Sequence, residues 1–132
     1  RNCKERKDPR RSRILMAVNS RAKGARNERA WAAICRGEGY TKTLRGCQFA
    51  GGPDSPDIKT GDPELERIHF EVKSGKRIDV WGAIAQAERD KAVGMMTVCP
   101  LHRDHYDWII AMPANDWFRM LRGDHLGGRH GG

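Results

Sequence analysis

Apolar side chains recur three and four residues apart between residues 20 and 36. Ala30, Trp31, Ile34 and Cys35 share one face, so the spacing predicts an amphipathic helix there. Ser20 is placed to cap its start, and Gly37 and Gly39 to stop it. The period then shortens to two. Residues 40–44 (Tyr-Thr-Lys-Thr-Leu) are β-prone and alternate, predicting a strand. Residues 51–56 (Gly-Gly-Pro-Asp-Ser-Pro) read as a loop, and residues 57–59 as a short extended piece after Pro56. Gly61-Asp62-Pro63 reads as a turn. Residues 67–73 alternate again, with Ile68, Phe70 and Val72 on one side and His69, Glu71 and Lys73 on the other. Residues 79–93 return to helical spacing, with Trp81, Ile84, Ala85 and Ala92 on or near one face and Gly94 as the stop. Residues 95–99 form a continuous apolar run suited to the centre of a sheet, and residues 107–112 a second strand. A last helix spans residues 113–121, with Pro113 in its first turn and Trp117, Phe118, Met120 and Leu121 as core candidates. Trp81 and Trp108 also read as core. Strands interleaved with helices predict a single α/β domain whose central mixed β-sheet is flanked by helices.

The flanks differ in composition from this patterned stretch. Residues 1–13 carry seven basic side chains against Glu5 and Asp8, so residues 1–19 read as a basic arm. The apolar patch at residues 14–18 within it could open a helix or meet a second copy. Residues 123–132 form a Gly-rich tail, which leaves residues 20–122 as the folded domain. No internal repeat is visible. At 132 residues the chain has room for one core.

Charge narrows the partner. Lys and Arg number 25 against 17 Asp and Glu, giving a net charge of +8. That surplus calls for a polyanion, nucleic acid first and an anionic membrane surface second. No apolar run approaches the roughly 20 residues that span a bilayer, and no signal-peptide pattern is present. Cys3, Cys35, Cys47 and Cys99 are irregularly spaced without a CxxC pair, which fits thiols in a reducing cytoplasm rather than a disulfide framework. Cys99, His102 and His105 could furnish zinc ligands, with Cys47 or His69 as a fourth. Alternatively Cys99 is a buried strand-end thiol, and the two histidines are exposed in a basic turn.

The stretch that carries chemistry runs from Ser55 to Lys73. Asp57 follows a rigid Pro56, and Glu71 and Lys73 lie two apart on a strand, so both leave the same face. If the two segments pair as a hairpin, Asp57 and Glu71 converge at its open end. Two carboxylates so placed repel, and a hard divalent cation such as Mg²⁺ relieves the repulsion while keeping waters of its own. Lys73 could then orient a water or neutralise charge on a phosphate. Asp54 offers a competing Pro-Asp pair, but only Asp57 is followed by the β-branched apolar residue that a strand favours. His69 shares the face of Glu71 and reads as a surface strand residue rather than a general base.

Pro56-Asp57 followed by Glu71-Val72-Lys73 resembles the PD-(D/E)xK nuclease signature. The chain is also similar to small Holliday junction resolvases of archaea and phages: through Lys23-Gly24-Ala25-Arg26-Asn27-Glu28-Arg29, through Ala85-Gln86-Ala87-Glu88-Arg89-Asp90, and through the ending Asp107-Trp108-Ile109-Ile110 with Met112. The likeness spans residues 23–121. It implies a restriction-endonuclease-like fold and a metal-dependent endonuclease acting on branched DNA. It places Glu28 as a further acid of the site, where the residue could otherwise be a solvated helix acid paired with Arg29 or Lys23. It makes Asp57, Glu71 and the Val72 backbone carbonyl the ligands of Mg²⁺ or Mn²⁺, and gives Gln86 a role on water or phosphate. It implies a homodimer making paired cuts, in the host cytoplasm if the chain is phage-encoded. Lys23, Arg26, Arg29, Lys42, Arg45, Lys76, Arg77 and Arg103 are the candidate DNA contacts on the domain.

Overall fold

The computed structural model describes residues 9–46 and 57–126, with side chains in the first segment described from Ala22 onward. The loop expected at residues 51–56, including Pro53-Asp54, lies outside the described residues. So do Cys3, Cys47 and the ends of the basic arm and the Gly-rich tail.

The first helix, α1, runs from Pro9 to Gly37. It passes straight through Ser20, which therefore does not cap its start. Residues 9–19 carry no interior breaker, and proline is favoured at a first helical position. The stop lies where the glycines predicted it. Gly39 adopts a left-handed φ of 103°, and the Tyr40 N–H folds back onto the Cys35 carbonyl at 3.0 Å.

Strands β1 (Thr43–Arg45) and β2 (Ile58–Thr60) pair antiparallel as a two-stranded sheet. The hairpin expected between the Asp57 and Glu71 segments is therefore absent: β2 gives its ladder to β1. The segment carrying Glu71 joins a different sheet. Its strand is also interrupted, as β3 (Ile68–Phe70) and β4 (Lys73–Ser74) with Glu71 and Val72 between them. Both pieces pair parallel with one edge of β5 (Met96–His102), and β6 (Ile109–Ala111) pairs antiparallel on the other edge. The mixed sheet predicted from the pattern is present, with the 95–99 run at its centre extended to His102.

Two apolar clusters flank this sheet. Ala32 and Cys35 of α1 pack with Ile68, Phe70, Val72 and Val98, with Trp31, Trp108, Met112 and Met120 against them. On the other side Ala83 and Ala87 of α2 (Val80–Asp90) meet Cys99 and Leu101. Because β3 is covered on both sides, His69 and Glu71 are buried along with Ile68 and Phe70, and His69 is not the surface residue its alternation predicted.

Helix α2 is capped by Asp79, whose Oδ1 accepts from the Gly82 N–H at 2.9 Å. Its inward face is set by Ala83 and Ala87, not by the position of Trp81. That residue is 85% exposed and is not core. Small residues let the helix approach the sheet, so the large ring is left outside. The last helix, α3 (Ala114–Leu121), likewise turns Trp117, Phe118 and Leu121 to the surface and keeps only Met120 against the core. Its buried residue is Asp116, which accepts from the Thr97 N–H at 3.0 Å. A 3-10 turn at Asp124–Leu126 follows.

The two aromatics Phe70 and Trp81 read alike in sequence and separate in structure, and this is measurable. Phe70→Ala is expected to lower unfolding free energy by about 3–5 kcal/mol, the cost of an emptied aromatic site in a core. Trp81→Ala should change it by no more than about 0.5 kcal/mol, as for an exposed substitution. Urea titrations followed by circular dichroism would check both.

Candidate active site

The interruption in the β3–β4 strand is where the predicted residues meet. Asp57, one residue before β2, sends its Oδ2 to accept from the Val72 N–H at 3.1 Å. The two motif segments thus meet through a side chain on a backbone amide rather than through a ladder. Glu71 N–H still donates to the Val98 carbonyl at 3.0 Å, so the strand stays anchored to β5 on that edge. Asp57, Glu71 and Glu28 are 8%, 3% and 7% exposed. Glu28 comes from α1, and the helix is held beside β4 by a hydrogen bond from Asn27 to the Ser74 hydroxyl.

The three acids feel one another. Burial pushes the Asp57 carboxyl up to about 7, and the neighbouring Glu71 and Glu28 push the same way. The Val72 N–H and Lys73 oppose the rise. Glu28 is also raised, by burial first, against the pull of Arg45, whose Nε donates to Glu28 Oε2 at 2.8 Å. The field extends to β5. There the Cys99 thiol is pushed up to about 12 by burial and then by Glu71.

At the mouth of the site Lys73 balances this charge and Gln86 holds the lysine. Lys73 Nζ lies 3.3 Å from Glu71 Oε1 and donates to Gln86 Oε1 at 2.9 Å. Gln86, on α2, therefore acts on the lysine itself. A cavity of about 350 Å³ opens beside this pair, lined by Lys73, Ser74, Arg77 and Gln86. The remaining charges are spread around it. Lys23 and Arg26 line a second cavity of about 550 Å³ with Asn27, Ser74 and Lys76. Arg29, Lys42, Lys76, Arg77 and Arg103 are exposed, whereas Arg45 has its Nε engaged by Glu28.

Sequence reasoning missed His69 as a member of this cluster. It is buried beside the acids, with Nε2 3.6 Å from Glu71 Oε2 and no hydrogen-bond partner for that nitrogen among the described residues. Its alternation with Glu71 was the available signal, and the burial of both strand faces decided its environment. Asn27 and Arg45 were not legible as site supports, because each reaches its partner across 47 or 17 residues of chain.

Among the described residues no group of three or more His, Cys, Asp or Glu is arranged to hold a metal ion. This includes Cys99, His102 and His105: Cys99 is a free buried thiol, His102 stacks on Trp108 at 4.7 Å, and His105 is exposed in a turn. No helix among the described residues is long and apolar enough to cross a membrane. No family model matches the chain, and no curated protein and no solved structure matches it.

The raised Asp57 carboxyl has a stability consequence. A folded-state value near 7, against 3.8 in the unfolded chain, favours the fold fully below pH 3.8, and that benefit is lost as pH rises through 7. Without divalent cation, the protein should therefore lose stability between pH 4 and 8. Asp57→Asn should flatten that fall by up to about 4 kcal/mol, at roughly 1.4 kcal/mol for each pH unit separating the folded and unfolded values. Denaturant melts at pH 5 and pH 8 test this; parallel profiles for parent and variant would sink it.

Proposed function

We propose that this protein is a metal-dependent DNA endonuclease of the PD-(D/E)xK kind, with a restriction-endonuclease-like fold, that cuts branched DNA in the manner of a Holliday junction resolvase. The observation that carries the proposal is the set of three buried, mutually repelling carboxylates with Lys73 at their mouth. A fold that stood to gain only stability would not bury Asp57, Glu71 and Glu28 together. Such strain is expected where chemistry is done.

Carboxylate oxygens such as those of Asp57 and Glu71 are the donors a hard divalent cation takes. Asp57 and Glu71 would hold Mg²⁺ or Mn²⁺ with the Val72 carbonyl, and Glu28 would support it. Mg²⁺ needs no third carboxylate or imidazole, since it commonly takes one or two carboxylates and keeps several waters. When bound, such an ion offsets the carboxylate charge and makes a coordinated water acidic enough to attack a phosphodiester.

The chain's own residues do the rest. Lys73 Nζ stands next to Glu71 and can stabilise negative charge growing on a phosphate oxygen. Gln86 fixes the lysine's position through its carbonyl oxygen. Glu28 is tied by Arg45, so its carboxylate is oriented before any ligand arrives. Lys23, Arg26, Lys76, Arg77 and Arg103 offer phosphate contacts that bind backbone without reading sequence. A homodimer would supply the two symmetric sites that resolution of a four-way junction requires.

Glu71→Gln is expected to lower cleavage by about 100-fold or more, at least the cost of removing one group that stabilises a transition state, while DNA binding is kept. The measurement is a cleavage and gel-shift panel of four-way junction, Y-fork, duplex and single strand, with and without Mg²⁺. Cutting by the variant at near the parent rate would overturn the assignment.

A further inference from the structure

A third cavity lies beyond the proposed catalytic one, and its chemistry differs. It measures about 470 Å³, within the roughly 300–1,000 Å³ usual for small-ligand sites. Its apolar lining comes from Ile78, Val80 and Leu101, with the exposed Ile109 at its edge. Its rim carries Tyr106 and two cations, Lys76 and Arg103. Tyr106 is 62% exposed, and the Arg103 guanidinium sits 4.9 Å from its ring centroid. The turn that presents both is unusual. His105 within it holds a left-handed φ of 69°, a conformation that residues with side chains rarely adopt. The Tyr106 N–H closes it onto the Arg103 carbonyl at 3.0 Å.

The position of this cavity matters as much as its lining. It shares Gly75 and Lys76 with the basic cavity along α1, and Ile78 with the cavity beside Lys73 and Gln86. The basic and catalytic cavities share Ser74 in turn. Three openings therefore meet around the segment that leaves β4: one basic, one with the proposed catalytic lysine, and one apolar with an aromatic rim.

We propose that the apolar cavity receives an unpaired nucleobase of a DNA strand whose phosphates lie along the neighbouring basic residues. This deepens the nuclease reading and rests on it. A polyanionic strand with flat apolar bases is the partner whose charge and shape match both halves of the surface. Lys76 and Arg103 meet phosphates, while the face of the Tyr106 ring that Arg103 leaves open offers a platform on which a base stacks. Asp107, also in the lining, is an acceptor suited to the exocyclic amine of a base. A base inside a perfect duplex cannot reach such a cavity without leaving its stack. The preferred substrates are then branched DNAs in which a base is unpaired, or leaves its stack at the branch point, over uninterrupted duplex.

The test is binding, without divalent cation, of a Y-fork carrying 2-aminopurine as the first unpaired nucleotide, beside a fully paired duplex of the same length. Stacking on Tyr106 should quench the probe on binding. Tyr106→Ala should remove the quench and weaken fork binding about tenfold, the loss of one base–aromatic stack, with duplex affinity unchanged. Tyr106→Phe should restore both. Equal loss on fork and duplex, or no loss on either, would overturn the inference. So would sedimentation showing that Tyr106→Ala dissociates a dimer while fork binding is kept, since a second copy would then cover the cavity. Cleavage in Mg²⁺ is scored separately. Tyr106-dependent quenching without cleavage would leave the base site standing and overturn the nuclease. Cleavage without such quenching would do the reverse.

Discussion

Repulsion among Asp57, Glu71 and Glu28 is the constraint around which the neighbouring structure is built. Each sits where water hardly reaches, and Glu71 raises the cost of ionising both Asp57 and Glu28. The structure offsets that cost with specific partners: a backbone N–H for Asp57, a guanidinium for Glu28 and an ammonium for Glu71. Those partners come from β1, from β4 and from the break between β3 and β4. The acids thereby tie α1, the small sheet and the larger sheet to one point.

The break between β3 and β4 lies opposite Pro100 of β5, which has no N–H to donate to that edge. The Val72 N–H points to the edge away from β5, where no strand pairs among the described residues, and the Asp57 carboxylate takes it. Parallel pairing to β5 resumes at Lys73, which brings the ammonium back to Glu71. An edge amide thus gains a charged acceptor, and hydrogen bonds to charged groups are the stronger kind. The burial of β3 on both faces, with α1 and α2 on either side, keeps that hydrogen bond away from solvent.

The outer surface shows a second division. The helices approach the sheet through small residues, Ala32 on one side and Ala83 and Ala87 on the other. Close approach excludes bulky rings at those positions, so Trp81 and part of α3 face outward. Near the site the same geometry leaves openings rather than contacts, and the basic residues gather around them.

Much of this was legible along the chain. Period-3.6 and period-2 spacing located the helices and strands and the apolar centre of β5, because those periods reflect which side chains can share a face. Asp57, Glu71 and Lys73 could be named from their spacing and chemistry, since alternation puts Glu71 and Lys73 on one side of any strand. What the pattern could not carry was anything set by partners distant in sequence. It predicted a hairpin of the two motif segments, whereas β2 paired with β1. It read Trp81, Trp117, Phe118 and Leu121 as core, though hydrophobicity tells only that a residue could be buried, not which face a neighbour will cover. Residues 9–19 read as an arm while helix propensity was already sufficient to extend α1 through them. His69, Arg45 and Asn27 became part of the site only when folding brought β3, β1 and α1 together. Local periodicity is a property of the chain, but which face is buried and which charges meet are properties of the packing, and tertiary structure alone decided those.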